Sequence, residues 1–169
     1  MRRTDRQLED ASEHVNYELD MLAATISFLS KGSGETNQHT WNAYLESFVI
    51  HLRSVIDFLY PPTNHKQDDI LAEDYVTNVA EWNNDRPAKT NLLRDAKTKA
   101  DKQVAHLTYA RVSADKDWNW EGISADLNKV VICFFDHLPD GRRTWFPVIA
   151  SMGPAGPTGT PSQIGRAHV

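Results

Sequence analysis

Apolar side chains recur at helical spacing along the first third of the chain. The first stripe consists of Val15, Leu19, Leu22, Ile26 and Leu29. It predicts an amphipathic helix over residues 5–30, with Thr4 or Asp5 as its N-cap. The second stripe consists of Leu45, Phe48, Val49, Leu52, Val55, Ile56 and Leu59. It predicts a second long helix that ends before Pro61, because proline cannot continue a helix.

Two further long helices are predicted in the second half of the chain. One begins after Thr90 as a cap, and its core side holds Leu93, Ala96, Ala100, Val104 and Leu107. The other begins near Ile123 and runs to Pro139. Residues 130–135 are also typical of a buried strand, but the chain has no second strong strand candidate to pair with them. We therefore interpret this segment as helical.

Shorter segments connect these helices. Residues 69–82 have the spacing of a short helix, and residues 83–87 read as a loop. Residues 113–122 contain Trp118 and Trp120, and we interpret them as a connection whose indoles cover one end of the core. The sequence thus predicts an all-α fold, an antiparallel bundle of four main helices plus one short helix, forming a single domain over residues 1–150.

The C-terminal segment is predicted to lie outside that bundle. Residues 151–163 are rich in glycine and proline, which indicates a disordered tail. Residues 164–169 read Ile-Gly-Arg-Ala-His-Val, the translation of ATC GGA AGA GCA CAC GTC, a string that matches a common sequencing adapter. We interpret them as an artefact and exclude His168 as a ligand or base.

Composition excludes several classes of protein. The chain has 169 residues, a formal charge of -5 and a single cysteine, Cys133, so it forms no intramolecular disulfide and no cysteine-based zinc site. It contains no apolar run of membrane-spanning length and no signal peptide, so we expect a cytoplasmic protein that does not bind membranes. No nucleotide-binding motif occurs, and we expect no cofactor. Nothing indicates DNA-specific recognition, although a local basic strip can still bind phosphate.

The second helix carries an arginine between two carboxylates. Glu46, Arg53 and Asp57 lie within about 40° of one another around the helix axis. They form either a solvated charge ladder or, if packing buries Arg53, a site in which the two carboxylates hold the guanidinium and its remaining donors bind phosphate or carboxylate. His51 borders the core, where a hydrogen-bonded packing role is favoured over catalysis.

The third long helix is locally basic. Asp95, Lys99, Lys102 and His106 form one strip, with Gln103 beside it. One interpretation is an exposed face with an Asp95–Lys99 pair. The other is a site in which Lys99 neutralises phosphate and His106 moves a proton.

At these residues the chain resembles HEPN-type domains. The string at residues 99–107, KADKQVAHL, is similar to the family helix that carries an arginine, a polar residue and then a histidine. Residues 45–58, LESFVIHLRSVIDF, resemble the long preceding helix of bacterial members. The resemblance implies an all-helical domain that dimerises and, in catalytic members, cleaves RNA, with a role in defence or in a toxin–antitoxin pair.

The resemblance also assigns residues. His106 matches the family histidine and Asp101 the polar position, whereas Ala100 occupies the place of the arginine. Lys99, or Arg53 from the other helix, would then supply the cation that faces the phosphate. The predicted catalytic set is therefore His106, Lys99 and Arg53, supported by Asp57, Glu46, Gln103 and Asp101, with RNA and a second copy of the chain as partners. Whether the chain is an enzyme is left open.

Two alternatives are retained. The first is a non-catalytic interaction or dimerisation domain that uses exposed aromatic residues such as Trp41, Trp82 or Tyr109. The second is a metal-binding bundle similar to DinB-like proteins, in which His51, His65, His106 and His137 would converge. No two histidines have the spacing of a helical ligand pair, so no metal ligands are predicted.

Overall fold

The computed structural model describes residues 3–32, 34, 37–104 and 117–151, without the side chains of residues 103, 104 and 151. All regular secondary structure in these ranges is helical, which confirms the predicted all-α class. The predictions for His106, Tyr109 and residues 152–169 lie outside the described residues.

Within the described residues, four helices are long and three are short. The long ones are α1 (Asp5–Leu29), α2 (Gln38–Leu59), α4 (Asn91–Val104) and α5 (Trp120–Asp136). The short ones are α3 (Val79–Asp85), α6 (Asp140–Arg143) and α7 (Pro147–Ser151), and Ala72–Asp74 form a 3₁₀ turn. The four main helices match the four predicted segments, while their antiparallel order stays a prediction.

Side-chain caps set the ends of α1 and α2. The Thr4 hydroxyl accepts from the Gln7 amide and the Gln7 side chain accepts from the Thr4 amide, a capping box that satisfies two backbone donors. Gly32, with φ of 79°, leads the chain out of α1. The Asn37 side chain accepts from the amide of His39 at the start of α2.

The core lies where the four long helices meet. α2 packs against α1 and α4, and α5 packs against the same two helices. The α2 side chains Phe48, Leu52 and Ile56 are fully buried, as are Leu93 of α4 and Phe134 of α5. Phe48, Leu52, Ile56 and Leu93 belong to the predicted stripes, so helical periodicity identified the buried faces of α2 and α4.

The segment between α2 and α4 differs from its prediction. A short helix was expected over residues 69–82, but the structure has the 3₁₀ turn and then α3, which continues into the predicted loop as far as Asp85. The break occurs at Asn78, whose side chain accepts from the amides of Ala80 and Glu81 and starts a new helix. Trp82 of α3 is completely buried, so it is not available as one of the exposed interface residues that the interaction-domain alternative named.

The C-terminal part of the core contains more helix than the sequence predicted. α5 begins at Trp120 rather than near Ile123, because the Asn119 side chain caps the amide of Gly122. The ambiguous run 130–135 is helical, as expected. The short helices α6 and α7 were not predicted, yet Phe146 and Ile149 from this segment are buried and complete the core.

Candidate functional site

Four charged side chains meet where α2 lies against α4, and we call them the α2–α4 cluster: Arg53, Asp57, Lys97 and Asp101. Arg53 Nε lies 3.0 Å from Asp101 Oδ1. Lys97 Nζ lies 2.9 Å and 3.0 Å from the two Asp101 oxygens and 3.3 Å from Asp57 Oδ2. Two cations and two carboxylates thus alternate across the helix interface.

Helical spacing on both elements produces this cluster. Arg53 and Asp57 are one turn apart on α2, and Lys97 and Asp101 are one turn apart on α4, so both pairs lie along the line of contact. Ala96 and Ala100 are buried beside them. Small side chains allow close approach of two helices, which brings the charged tips within ion-pair distance.

Burial differs between the two cations. The Lys97 side chain is 18% exposed, whereas that of Arg53 is 48% exposed. Lys97 is therefore enclosed between two carboxylates and acts as the internal counter-ion of the cluster. Arg53 lies at its solvent edge, with Nε 3.0 Å from Asp101 Oδ1. Among the described residues, no partner is recorded for its terminal nitrogens Nη1 and Nη2, and these can bind a phosphate or carboxylate bidentately.

The partners of Arg53 differ from those expected. Asp57 and Glu46 were to hold a buried Arg53, but the guanidinium is half-exposed and pairs with Asp101 of α4, while Asp57 pairs with Lys97. Glu46 is exposed, seven positions before Arg53 on α2. Positions on one helix predicted which side chains share a face. They did not predict that α4 would place a carboxylate nearer than either neighbour on α2.

Lys99 faces another part of the molecule. Its Nζ donates to the carbonyl oxygen of Asp117 and lies 4.4 Å from the ring centroid of Trp118. At about 100° per residue, Lys99 is roughly 200° around the helix from both Lys97 and Asp101. The structure therefore gathers Arg53, Asp57 and Asp101, and directs Lys99 to the residues before α5. His106 and the Gln103 side chain lie outside the described part of the chain.

His51 has the packing role that its position predicts. It is buried, its Nδ1 lies 2.8 Å from Glu18 Oε2, and Tyr17 contacts it edge to face. His65 lies in the exposed loop after α2, where its Nδ1 donates to the carbonyl oxygen of Pro62. These histidines have separate partners, and neither belongs to the one group of potential metal ligands found among the described residues.

That group forms a second charged region, which we call the α3–α5 cluster: Glu81 and Asp85 of α3 with His137 at the end of α5. The sequence analysis considered His137 but missed both carboxylates. Their spacing of one helical turn was the available indication, and only the packing of α3 on α5 placed them opposite the imidazole.

Lys97 was also missed as a central residue. It counted only as one of several basic residues of its helix. Its spacing to Leu93 and Ala100 places it on the border of the buried face, and Asp101 follows it by one turn. A lysine at such a border with a carboxylate one turn away is a recognisable candidate for an interhelical ion pair.

Comparisons with protein-family models, with curated proteins and with solved structures give no match to this chain. Within the residues that the structure describes, no helix is both long enough and apolar enough to span a membrane.

Proposed function

We propose that this chain is an RNA-binding helical domain that contacts the phosphate backbone through Arg53 at the solvent edge of the α2–α4 cluster. One observation is central to the proposal. Arg53 Nε lies 3.0 Å from Asp101 Oδ1, and the Arg53 side chain is half-exposed, so its guanidinium is accessible to a ligand. An arginine oriented in this way loses little side-chain freedom when it binds a phosphate.

The charge distribution supports an anionic ligand at this surface. α4 carries four basic residues against two acidic ones, although the whole chain has a net charge of -5. Arg94 and Lys102 are exposed on the same helix. A basic helix beside an oriented guanidinium attracts a polyanion locally, without attraction by the molecule as a whole.

The HEPN resemblance supports RNA as the polyanion and suggests cleavage as a further step. In this part of the proposal His106 transfers a proton and a cation neutralises the scissile phosphate. Arg53 is better suited than Lys99 to that second role, because Lys99 donates to the Asp117 carbonyl and covers Trp118. A place in a defence or toxin–antitoxin system belongs to the same proposal and rests on the resemblance alone.

Binding of a short labelled single-stranded RNA, followed by fluorescence anisotropy, tests the proposal. Arg53→Ala should weaken binding about fivefold or more, equivalent to ~1 kcal/mol, because one charge-assisted contact is lost. The dependence of log K on log salt should become shallower by about one. Lys129→Ala is the matched control, since it removes the same charge from an exposed position on α5.

If Arg53→Ala and Lys129→Ala lose the same RNA affinity, the effect comes from net charge and not from Arg53 in particular. If the unaltered chain binds no RNA, the proposal is contradicted. Asp101→Asn separates orientation from charge. It removes a negative charge yet should weaken binding, because Arg53 loses its oriented state. For cleavage, His106→Ala should abolish product formation while RNA binding and the helical circular dichroism spectrum persist.

Homodimerisation is proposed as well, on the same resemblance. Because Trp82 is buried, an interface would have to use other side chains, and Tyr17 and Ile50 are exposed apolar candidates on α1 and α2. Sedimentation velocity of the unaltered chain distinguishes a dimer from a monomer.

A further inference from the structure

The α3–α5 cluster places an imidazole nitrogen opposite two carboxylates. His137 Nε2 lies 3.3 Å from Asp85 Oδ2. One ligand atom from each of Glu81, Asp85 and His137 lies within 4.8 Å of the other two. Glu81 and Asp85 are exposed, and His137 is partly buried. The three side chains therefore form a cluster that is accessible to solvent through its two carboxylates.

The tautomer of His137 follows from its other nitrogen. Nδ1 lies 2.7 Å from the carbonyl oxygen of Cys133, and since a carbonyl oxygen can only accept, Nδ1 carries a proton. In the neutral ring, Nε2 then presents its lone pair to Asp85. A backbone carbonyl in this position is the usual second-shell partner of a metal-bound histidine, because it fixes the ring and increases its basicity.

A neutral His137 leaves two acceptors facing each other. The Nε2 lone pair and Asp85 Oδ2 can share the 3.3 Å between them only if a cation lies there. Asp85 Oδ1 is already fixed by the Asn84 side-chain amide, at 2.8 Å, so the carboxylate is oriented with Oδ2 toward the imidazole. A metal ion bound to both atoms satisfies this requirement.

The distances favour a small divalent ion. Bonds of about 2.0–2.2 Å from zinc to nitrogen and oxygen separate neighbouring tetrahedral ligands by about 3.4 Å. That spacing agrees with the observed 3.3 Å between Nε2 and Oδ2. The Glu81 carboxylate needs only a side-chain rotation to approach, because it is exposed on the same face of α3, one turn before Asp85.

We infer that Glu81, Asp85 and His137 form a binding site for one divalent transition-metal ion of the zinc class. The imidazole favours such an ion over Mg²⁺ or Ca²⁺, which prefer oxygen ligands alone. Three protein ligands leave a fourth position for water. The ion would connect α3 to the end of α5, and this inference does not depend on the proposed RNA binding.

Cys133 lies next to the site without belonging to the ligand set. Its Sγ is directed to the carbonyl oxygen of Asp85, at 3.6 Å, and burial raises the pKa of the thiol, with Asp85 and Asp136 adding to the shift. A protonated thiol bound to a carbonyl is a poor ligand. Cys133→Ser should therefore retain metal binding.

Titration of the untagged, EDTA-treated full chain with Zn²⁺ in a calorimeter tests the inference. We expect one ion per chain and an increase in the thermal unfolding temperature on binding. Asp85→Asn keeps the size of the side chain and should weaken binding about tenfold or more, with loss of the thermal shift. His137→Gln should do the same.

Two control variants remove the same groups elsewhere. His39→Gln and Asp140→Asn change an exposed histidine and an exposed aspartate and should leave the affinity for Zn²⁺ unchanged. The inference is overturned if the chain binds no Zn²⁺, or if Asp85→Asn binds it as tightly as the unaltered chain while both are folded. Displacement of Zn²⁺ by a ~100-fold excess of Mg²⁺ would also overturn it, because a site with an imidazole ligand should prefer zinc.

Discussion

The α2–α4 and α3–α5 clusters join helices through similar groups, but the ligands that we propose for them have opposite charges. In the first, Lys97 lies between the carboxylates of Asp57 and Asp101, and the half-exposed Arg53 pairs with Asp101 at the solvent edge. In the second, two carboxylates face a histidine whose charge depends on pH. The first cluster thus contains two permanent cations, which is why we propose an anion as its ligand. The second consists of two carboxylates and a histidine, which is why we infer a metal ion.

The largest loss of stability should come from removing the side chain that attaches α3 to the core. Trp82 is completely buried and its ring lies 6.0 Å from that of Phe134. We expect Trp82→Ala to cost about 3–5 kcal/mol of unfolding free energy, as for other large core aromatics. Urea denaturation measures the change. A cost below that of the half-buried Trp41→Ala would show that α3 is held by its charges rather than by its indole.

Lys97 should matter more for stability than the other cation of its cluster. Lys97→Met leaves Asp57 and Asp101 without their shared counter-ion, and we expect a loss of about 1–3 kcal/mol. Chemical denaturation measures it, with Lys129→Met on the exposed part of α5 as control. The double variant Lys97→Met/Asp57→Asn tests the cause of this loss. If its unfolding free energy is no higher than that of Lys97→Met alone, the unpaired Asp57 carboxylate does not cause the loss.

The stability of the α3–α5 cluster should depend on pH. The carbonyl of Cys133 and then the Asp85 carboxylate raise the pKa of His137 above its ordinary value of 6.5, against the opposing effect of burial. The stabilisation is therefore complete below about pH 6.5 and is lost as the pH rises through the folded-state pKa. In EDTA, unfolding free energies at rising pH should show this decrease, and Asp85→Asn should make it smaller, while the contribution of the Cys133 carbonyl remains. An unchanged slope would contradict the assignment.

Arg53 should have the smallest effect on folding. Its ion pair with Asp101 is half-exposed, and we expect Arg53→Met to change the unfolding free energy by less than ~1 kcal/mol. The same variant should lose RNA affinity. Arg53 should therefore matter for binding more than for stability, and Lys97 should matter for stability. A loss at Arg53 as large as at Lys97 would remove the distinction between the two cations.

The four long helices could be predicted because their information is local. The stripe of α2 and the capping residue Thr4 determine where helices form and which face is buried, and His51 was placed correctly for the same reason. The short helices could not be predicted in this way. Asn78 divides the segment before Trp82, and α7 has too few residues for a period to be visible.

The partners of the charged side chains were decided only in three dimensions. Helical angles around one axis placed Arg53 and Asp57 on a common face, yet the relative position of α2 and α4 paired Arg53 with Asp101. The same holds for Asp85 and His137, which are 52 residues apart along the chain. Periodicity is a property of one helix, whereas an ion pair depends on the distance between two, and that distance is set by the packing of the whole core.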